Sequence, residues 1–209
     1  MGILDLPTAT QTGKIMISAE IQRLHTLAWQ PGLWMESGWW KKLGLVSWQA
    51  IYQDYPSCRS SIDQAIIARR QFPQEILPGM LSPSEALLLD SEEKLTQLVT
   101  VMGLIHWGAR DALSLGHSRR TLVKAIGESC CNQLLVLKLP WATHAQRLDI
   151  DEKDIPDMIQ AGCQWLMSAD DQVLIKALLI KLPPCEKAQA PHLFSHPPLP
   201  TLLTLARFL

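Results

Sequence analysis

The sequence lacks any long apolar run and any strong excess of one charge. Its longest apolar stretch, residues 98–109, is interrupted by Thr100 and His106 and is too short to span a bilayer. The formal net charge is −1, from 19 Lys and Arg against 20 Asp and Glu residues, which excludes a basic footprint for nucleic acid over the whole chain. Residues 1–14 lack the charged and apolar regions of a secretory signal, so we expect a cytosolic protein.

The chain also lacks the short motifs that accompany common catalytic sites. It contains no phosphate-binding glycine loop, no dinucleotide-binding glycine motif, no serine nucleophile elbow and no H-E-x-x-H zinc motif. Its five cysteines include no C-x-x-C pair, and the neighbouring Cys130 and Cys131 would face different sides of a helix. We therefore expect buried, reduced thiols, and the missing motifs make an enzyme less expected without excluding one.

Apolar residues in general, and tryptophan in particular, are abundant. Hydrophobic residues make up 47% of the chain and charged residues 19%, a balance that predicts a folded protein. Eight Trp stand beside two Tyr and three Phe, and four of these Trp lie within residues 29–40. Tryptophan gives a large contact area at a low entropy cost, so it is favoured in cores and at interfaces alike.

Helical periodicity recurs along the chain, whereas only residues 134–139 could compete as a strand. We predict an all-α, irregular multi-helix globular fold, in which a Trp-rich N-terminal half packs on a C-terminal helical half. Residues 1–80 form the N-terminal helical region and residues 81–183 the C-terminal helical region in this prediction. Residues 184–209 are predicted to be a Pro-rich tail, within which Leu199–Phe208 is a candidate for one short last helix.

Local signals predict several helix boundaries. The sequence Ser-Pro-Ser-Glu at 82–85 predicts a capping box at the start of a helix, since Ser caps and Glu reaches back. A second start signal at residues 90–93 predicts a kink, and residues 39–52 are predicted to form a single helix. Residues 98–107 are apolar all round and predict a buried helix, along which the small Gly103 would admit another helix closely. Gly108 is also expected to admit another helix closely.

Two weak constellations include histidine. Cys185, His192 and His196 could ligate zinc, but three candidates in a Pro-rich stretch without a paired cysteine favour an ordinary tail. His106 on the apolar helix could act as a ligand or a base. A neutral core histidine bonded to a backbone carbonyl is the favoured interpretation.

A third constellation is the acidic group of Asp149, Asp151, Glu152 and Asp154, which resembles a hard-cation loop. It lacks the central Gly and terminal Glu of an EF-hand. A solvated loop that also caps the next helix is therefore the favoured interpretation.

Three segments in the second half, residues 103–113, 122–148 and 158–183, resemble in order the YscK or SctK family of cytosolic type III secretion adaptors. The most specific piece is the string Pro-Trp-x-Thr-His-x-Gln-Arg at 140–147, which lies between the same two helical blocks. The resemblance covers roughly residues 95–183. The preceding region matches the family only in its Trp-, Leu- and Pro-rich character.

The resemblance implies a non-enzymatic adaptor of the type III secretion sorting platform. Such an adaptor bridges the cytoplasmic domain of the inner-membrane ring protein SctD to the pod protein SctQ, with the stator SctL and the ATPase SctN as indirect partners. The resemblance also implies a largely α-helical fold and a cytoplasmic location, peripheral at the inner face of the inner membrane when assembled. It implies no cofactor, no nucleic acid and no membrane contact except through a partner.

An adaptor needs exposed anchors, and an exposed Trp beside an Arg is the usual chemistry of an interface hot spot. The candidate interface residues are Trp34, Trp39, Trp40, Arg119, Arg120 and Arg147. Burial in the core is the alternative for each Trp, and a solvated helix face is the alternative for each Arg. The pair Arg69 and Arg70 could meet phosphates or an acidic partner, and a solvated helix end is the favoured interpretation. Trp141 is expected to lock two helices together.

Two other functions remain open at this level. A type III secretion chaperone would hold unfolded exported clients, although such chaperones are usually smaller and more acidic. A helical enzyme or metal protein would use Cys185, His192 and His196, and elemental analysis would then find stoichiometric zinc.

Overall fold

Helices account for the regular structure in the part of the chain that is described. The computed structural model describes residues 17–73, 76–114, 116–143, 149–168, 172–185 and 196–209. Within these ranges it contains eleven α-helices and no strand, which confirms the predicted all-α fold. The helices are α1 (Ala19–Trp29), α2 (Gly38–Lys42), α3 (Val46–Asp54), α4 (Arg59–Arg69), α5 (Pro83–Asp90), α6 (Leu95–His106), α7 (Gly116–Ile126), α8 (Glu128–Val136), α9 (Ile155–Met167), α10 (Val173–Leu178) and α11 (Pro198–Phe208).

Short 3₁₀ turns connect several of these helices. They are Pro31–Leu33, Pro56–Cys58, Glu92–Lys94, Arg110–Leu113, Glu152–Asp154 and Leu179–Lys181. Short 3₁₀ segments are common at helix ends and as connectors, because their tighter bonds satisfy backbone groups that an ending α-helix leaves free.

Serine side chains start α1 and α5. The Ser18 hydroxyl accepts a hydrogen bond from the Ile21 amide at 3.3 Å. At α5 the capping box is present as predicted, since the Ser82 amide donates to the Glu85 carboxylate at 2.7 Å and the Glu85 amide donates to the Ser82 hydroxyl at 3.3 Å. These acceptors satisfy amides that lack partners in the first turn, so they fix where each helix begins.

The single helix predicted at residues 39–52 is wrong, because the structure divides it into α2 and α3. Gly44 lies between the two helices with φ +65°, a left-handed conformation that ends a helix. Gly108, expected to admit a close helix, has φ +66° and instead ends α6 in the same way. The kink predicted at residues 90–93 is present, since α5 ends there and a 3₁₀ turn leads into α6.

The main core is built around α6 and α9, which cross at two glycines. All of residues 98–105 of α6 are buried. A Cβ atom on Gly103 would lie 1.9 Å from the Met158 carbonyl oxygen, and a Cβ atom on Gly162 would lie 2.0 Å from the Val99 carbonyl oxygen. Since no side chain fits at either place, the two backbones touch directly. Gly103 therefore has the close-approach role that the sequence predicted.

The N-terminal region shares this core. Leu24, Leu27 and Ala28 of α1 belong to the same apolar cluster as the buried side chains of α6 and α9, and so do Leu202 and Leu205 of α11. A second, smaller apolar cluster lies among α2, α3 and α4. Its buried members are Trp40, Leu45, Tyr52, Ile62 and Ile66.

A buried carboxylate ties the smaller cluster to the turn that precedes it. Asp63 of α4 is 4% exposed and accepts hydrogen bonds from the Gly32 amide at 2.8 Å and from the Tyr52 hydroxyl at 3.1 Å. Burial raises the pKa of Asp63 above its usual value, although both hydrogen bonds act in the opposite direction. The turn Pro31–Leu33 is thereby held against the ring of Tyr52, which positions the next residue, Trp34.

We expect Gly103→Ala and Gly162→Ala each to destabilise the protein by about 3 kcal/mol or more, because the added methyl group would overlap a backbone carbonyl. Urea unfolding followed by circular dichroism measures the free energy of unfolding. Gly116→Ala is the matched control, since nothing lies within 4 Å of the added Cβ, and it should remain within about 1 kcal/mol of wild type. Equal effects at the three glycines would contradict the described crossing.

Candidate interaction surfaces

The three tryptophans proposed as anchors lie in different environments. Trp40 is 5% exposed and packs in the smaller cluster, with its ring centroid 5.6 Å from that of Tyr52. Trp39 is half-buried, and its indole N–H donates to the Leu182 carbonyl at 2.9 Å. Trp34 is 36% exposed. Trp34 and Trp39 therefore keep part of their surface open to solvent, whereas Trp40 is enclosed in the structure.

Charged groups hold the exposed Trp34 in place. The Arg23 guanidinium lies 3.7 Å from the centroid of the Trp34 ring and donates two hydrogen bonds to the Glu92 carboxylate, at 2.6 and 2.5 Å. The Lys181 ammonium lies 3.1 Å from the same carboxylate and 5.8 Å from the ring centroid. This bidentate pair and the two cations near the ring fix the indole as a preformed surface feature.

The Glu92 carboxylate is the centre of this network. Burial tends to raise its pKa, but the hydrogen bonds from Arg23 and Lys181 outweigh burial, and the pKa lies below its usual value. The three groups come from α1, from the turn between α5 and α6, and from the turn after α10. The network therefore joins distant parts of the chain beside Trp34.

A cleft of about 320 Å³ lies beside the other accessible tryptophan, and we call it the Arg70 cleft. Its lining residues come from α2, from the end of α4 and from the segments around α10. They are Trp39, Arg70, Gln71, Phe72, Met167, Lys176, Leu179, Pro183 and Cys185.

Arg70 is held firmly in this cleft. Its Nη2 atom donates to the Lys176 carbonyl at 2.7 Å, and its guanidinium carbon lies 5.2 Å from the ring centroid of Trp39 and 5.7 Å from that of Phe72. Burial lowers the pKa of Arg70 to about 10, so it remains charged at neutral pH. Its Nη1 atom is buried and has no hydrogen-bond partner. An unmet donor of this kind costs on the order of 1–3 kcal/mol.

An exposed apolar face on α3 was not found by the sequence reasoning, and we call Trp48, Ile51 and Tyr55 the α3 face. These residues are 40%, 42% and 59% exposed, and their spacing places them along one side of the helix and its C-cap. The buried Tyr52 on the same helix faces the smaller cluster. The spacing itself was visible in the sequence, but it does not tell which apolar side of a helix is covered.

The proposed arginine anchors differ from one another. Arg119 is half-buried and donates to the Leu113 carbonyl at 2.9 Å and to the Asn132 side-chain oxygen at 2.7 Å, so it ties α7 to its neighbours. Arg120 is exposed beside a surface depression of about 390 Å³. Arg147 lies outside the described residues.

The remaining sequence candidates have local structural partners. His106 is half-buried near Trp165, and burial lowers its pKa, which favours the neutral imidazole. Cys185 lies with its sulfur 2.8 Å from that of Met167, and the His196 carbonyl accepts a hydrogen bond from the Trp165 indole at 2.8 Å. His192 lies outside the described residues.

The acidic loop caps the next helix. Asp151 and Asp154 form a capping box around the 3₁₀ turn that leads into α9, with the Asp151 amide donating to Asp154 at 2.8 Å. Asp151 also lies 2.9 Å from the His117 ring. In the described part of the chain, no group of three His, Cys, Asp or Glu residues could hold a metal ion. No helix in that same part is both long and apolar enough to cross a bilayer.

The short loop before residue 144 also has a packing role. The Ala142 amide donates to the Ile105 carbonyl at 3.1 Å, and Trp141 packs against the main core. The loop is thereby attached to the end of α6, in agreement with the expected locking role of Trp141.

Comparison with known proteins adds a family match. A family model described as a type III secretion system subunit matches residues 22–184, which is more than half of the chain. No curated protein and no solved structure matches. The matched range begins within α1 and includes both the smaller cluster and the α6–α9 crossing. It therefore extends well to the N-terminal side of the segments that carried the resemblance.

We expect Glu92→Gln to lower the free energy of unfolding by about 1–3 kcal/mol at neutral pH, because it removes the charged acceptor of Arg23 and Lys181. The folded pKa of Glu92 is depressed, so its contribution is complete above the pKa of an unfolded glutamate, about 4.3, and is lost as the pH falls through the folded value. Urea unfolding at several pH values should show the difference from wild type shrinking below about pH 4. Glu93→Gln, at the exposed neighbour, should have little effect.

Proposed function

Because the chain belongs to the family of type III secretion system subunits, we propose that it is a non-enzymatic adaptor of the sorting platform. In this role it bridges the cytoplasmic domain of the inner-membrane ring protein SctD to the pod protein SctQ, and through SctQ it meets the stator SctL and the ATPase SctN indirectly. It acts in the cytoplasm at the inner face of the inner membrane. The proposal requires no cofactor and no catalytic residue.

The observation that carries this proposal is the presence of two separate surfaces with the chemistry of protein interfaces. The α3 face presents two aromatic side chains and one aliphatic side chain on a helix. The Arg70 cleft combines a half-buried tryptophan with a held guanidinium. Aromatic residues and arginine are the residue types that dominate binding energy at interfaces. The two surfaces share no residue, and a bridging protein needs two surfaces that can be occupied together.

The fold between these surfaces supports the same role. The Trp39 indole N–H donates a hydrogen bond to the Leu182 carbonyl, and the Glu36 amide donates one to the Ile180 carbonyl at 2.9 Å. These bonds connect the segment around α2 to the segment after α10, which belongs to the main core. A scaffold held in this way transmits a fixed spacing from one partner to the other, which a bridging adaptor requires.

Reconstitution with purified partners tests the proposal. The full chain is mixed with the SctD cytoplasmic domain and with SctQ from the same bacterium, and complexes are sized by chromatography with light scattering. We expect a ternary complex, and we expect no SctD–SctQ complex of equal stability without the chain. Competition between the two partners for the chain would contradict bridging. Binding of unfolded exported proteins, with neither partner bound, would favour the chaperone instead.

The α3 face gives a sharper prediction. We expect the double substitution Trp48→Ala and Tyr55→Ala to weaken binding to one of the two partners by about tenfold or more, since exposed aromatic residues are the usual hot spots. Binding to the other partner should be unchanged. Titration calorimetry measures both affinities.

The control for this variant is Val136→Ala, which alters an 83% exposed residue at the end of α8. It should leave both affinities at the wild-type value. Thermal unfolding of each variant shows that a loss of binding does not arise from a loss of folding. If the double variant binds both partners as wild type does, the α3 face is not a docking surface.

A further inference from the structure

The Arg70 cleft contains a cation whose hydrogen bonding is incomplete. The Nη2 atom of Arg70 donates a hydrogen bond to the Lys176 carbonyl, and its Nη1 atom is buried without a hydrogen-bond partner. Buried donors are nearly always paired in folded proteins, so an unmet one needs an explanation. A missing acceptor that arrives with a ligand is such an explanation, because Arg70 lines an open cleft and a small turn of its guanidinium brings the enclosed Nη1 atom to a ligand there.

The walls of the cleft define what else the ligand carries. Trp39 lies beside the guanidinium and is half-buried, and the exposed Pro183 adds aliphatic surface, whereas Phe72 and Leu179 line the cleft as nearly buried side chains. A ligand that contacts only the guanidinium would leave the apolar surface of the cleft exposed to water. The cleft therefore suits a negative group that stands directly beside an apolar group.

We propose that the Arg70 cleft binds an acidic residue of a partner protein together with a neighbouring large apolar side chain. The carboxylate pairs with the Arg70 guanidinium, and the apolar side chain packs on Trp39 and Pro183. The volume, about 320 Å³, suits one or two side chains rather than a folded domain or a large cofactor. The identification of the partner as a component of the secretion machinery rests on the proposed function.

Charge favours a carboxylate over a phosphate group. A carboxylate has a single negative charge, which one guanidinium balances in a planar, two-bond geometry. The chain as a whole has a net charge of −1, so it provides no wider positive field for a polyanion.

Gln71 offers a test that does not disturb the fold. It is exposed, it lines the cleft, and its side chain makes no described hydrogen bond. Its backbone has φ +53°, which Glu and Lys would share with Gln to a similar degree. The variants Gln71→Glu and Gln71→Lys are therefore a matched pair that differ in the charge added at the cleft. Arg70→Lys forms a third variant that keeps the charge but removes the two-bond geometry.

The experiment begins with selection of displayed random peptides on the full wild-type chain, with counter-selection on Arg70→Lys. Enriched peptides are synthesised, together with versions in which Glu is replaced by Gln or Asp by Asn, and their affinities are measured by fluorescence anisotropy. We expect enriched peptides to share an acidic residue next to an aromatic or aliphatic one. Gln71→Glu and the neutralised peptide should each weaken binding by about tenfold, and Gln71→Lys should maintain or strengthen it.

Three results would overturn the proposal. They are an enriched set without a common acidic residue, equal binding to Gln71→Glu and Gln71→Lys, and no enrichment on wild type over Arg70→Lys. Displacement of the peptide by inorganic phosphate, beyond the effect of chloride at the same ionic strength, would reassign the cleft to a phosphate ligand. The peptides include no secretion protein, so a negative peptide result removes the Arg70 cleft as a partner surface, while the ternary complex tests bridging itself. Failure of the ternary complex would contradict the bridging role and would leave the peptide result standing.

Discussion

Direct contact between two helix backbones at Gly103 and Gly162 is the constraint on which the rest of the structure depends. Because neither residue has a side chain, the distance between α6 and α9 is set by peptide atoms and cannot adjust by a change of rotamer. The helices that cover this pair, α7 and α11 among them, pack against a surface whose shape is fixed. The apolar character of α6 on all sides follows, since it is covered on all of its sides.

The surface features are attached to this fixed pair by polar bonds. Arg23 projects from α1, Glu92 lies just before α6, and Lys181 follows α10. The network of charged groups beside Trp34 therefore forms only when all three elements are in place. Met35 packs against both the smaller cluster and the main core. Directional bonds, such as that from the Trp39 indole to the Leu182 carbonyl, add to this apolar contact. Directional bonds specify one relative arrangement, which apolar contact alone does not.

The sequence predicted features that depend on local chemistry and missed those that depend on which surface is covered. The capping box at residues 82–85 was predictable, because its partners are three residues apart. Gly103 was found on an apolar helix, but its counterpart Gly162 was not, since a crossing partner has no local signal. Arg70 was expected in solvent beside Arg69, yet it lies at the C-cap of α4 with its guanidinium carbon 5.2 Å from the ring centroid of Trp39. The α3 face was missed for the same reason, because periodicity shows the sides of a helix without showing what lies against them.

The chemistry of the Arg70 cleft suits the binding of an anion. Arg70 has a pKa of about 10, so it remains protonated at neutral pH. Cys185 also lines the cleft, and its hydrogen bond with the buried Cys163 lowers its pKa. The positive charge of Arg70 stands beside apolar walls that exclude part of the water. A permanent cation in such surroundings can hold an anion of matching shape, because a charge-assisted hydrogen bond is stronger where water is excluded.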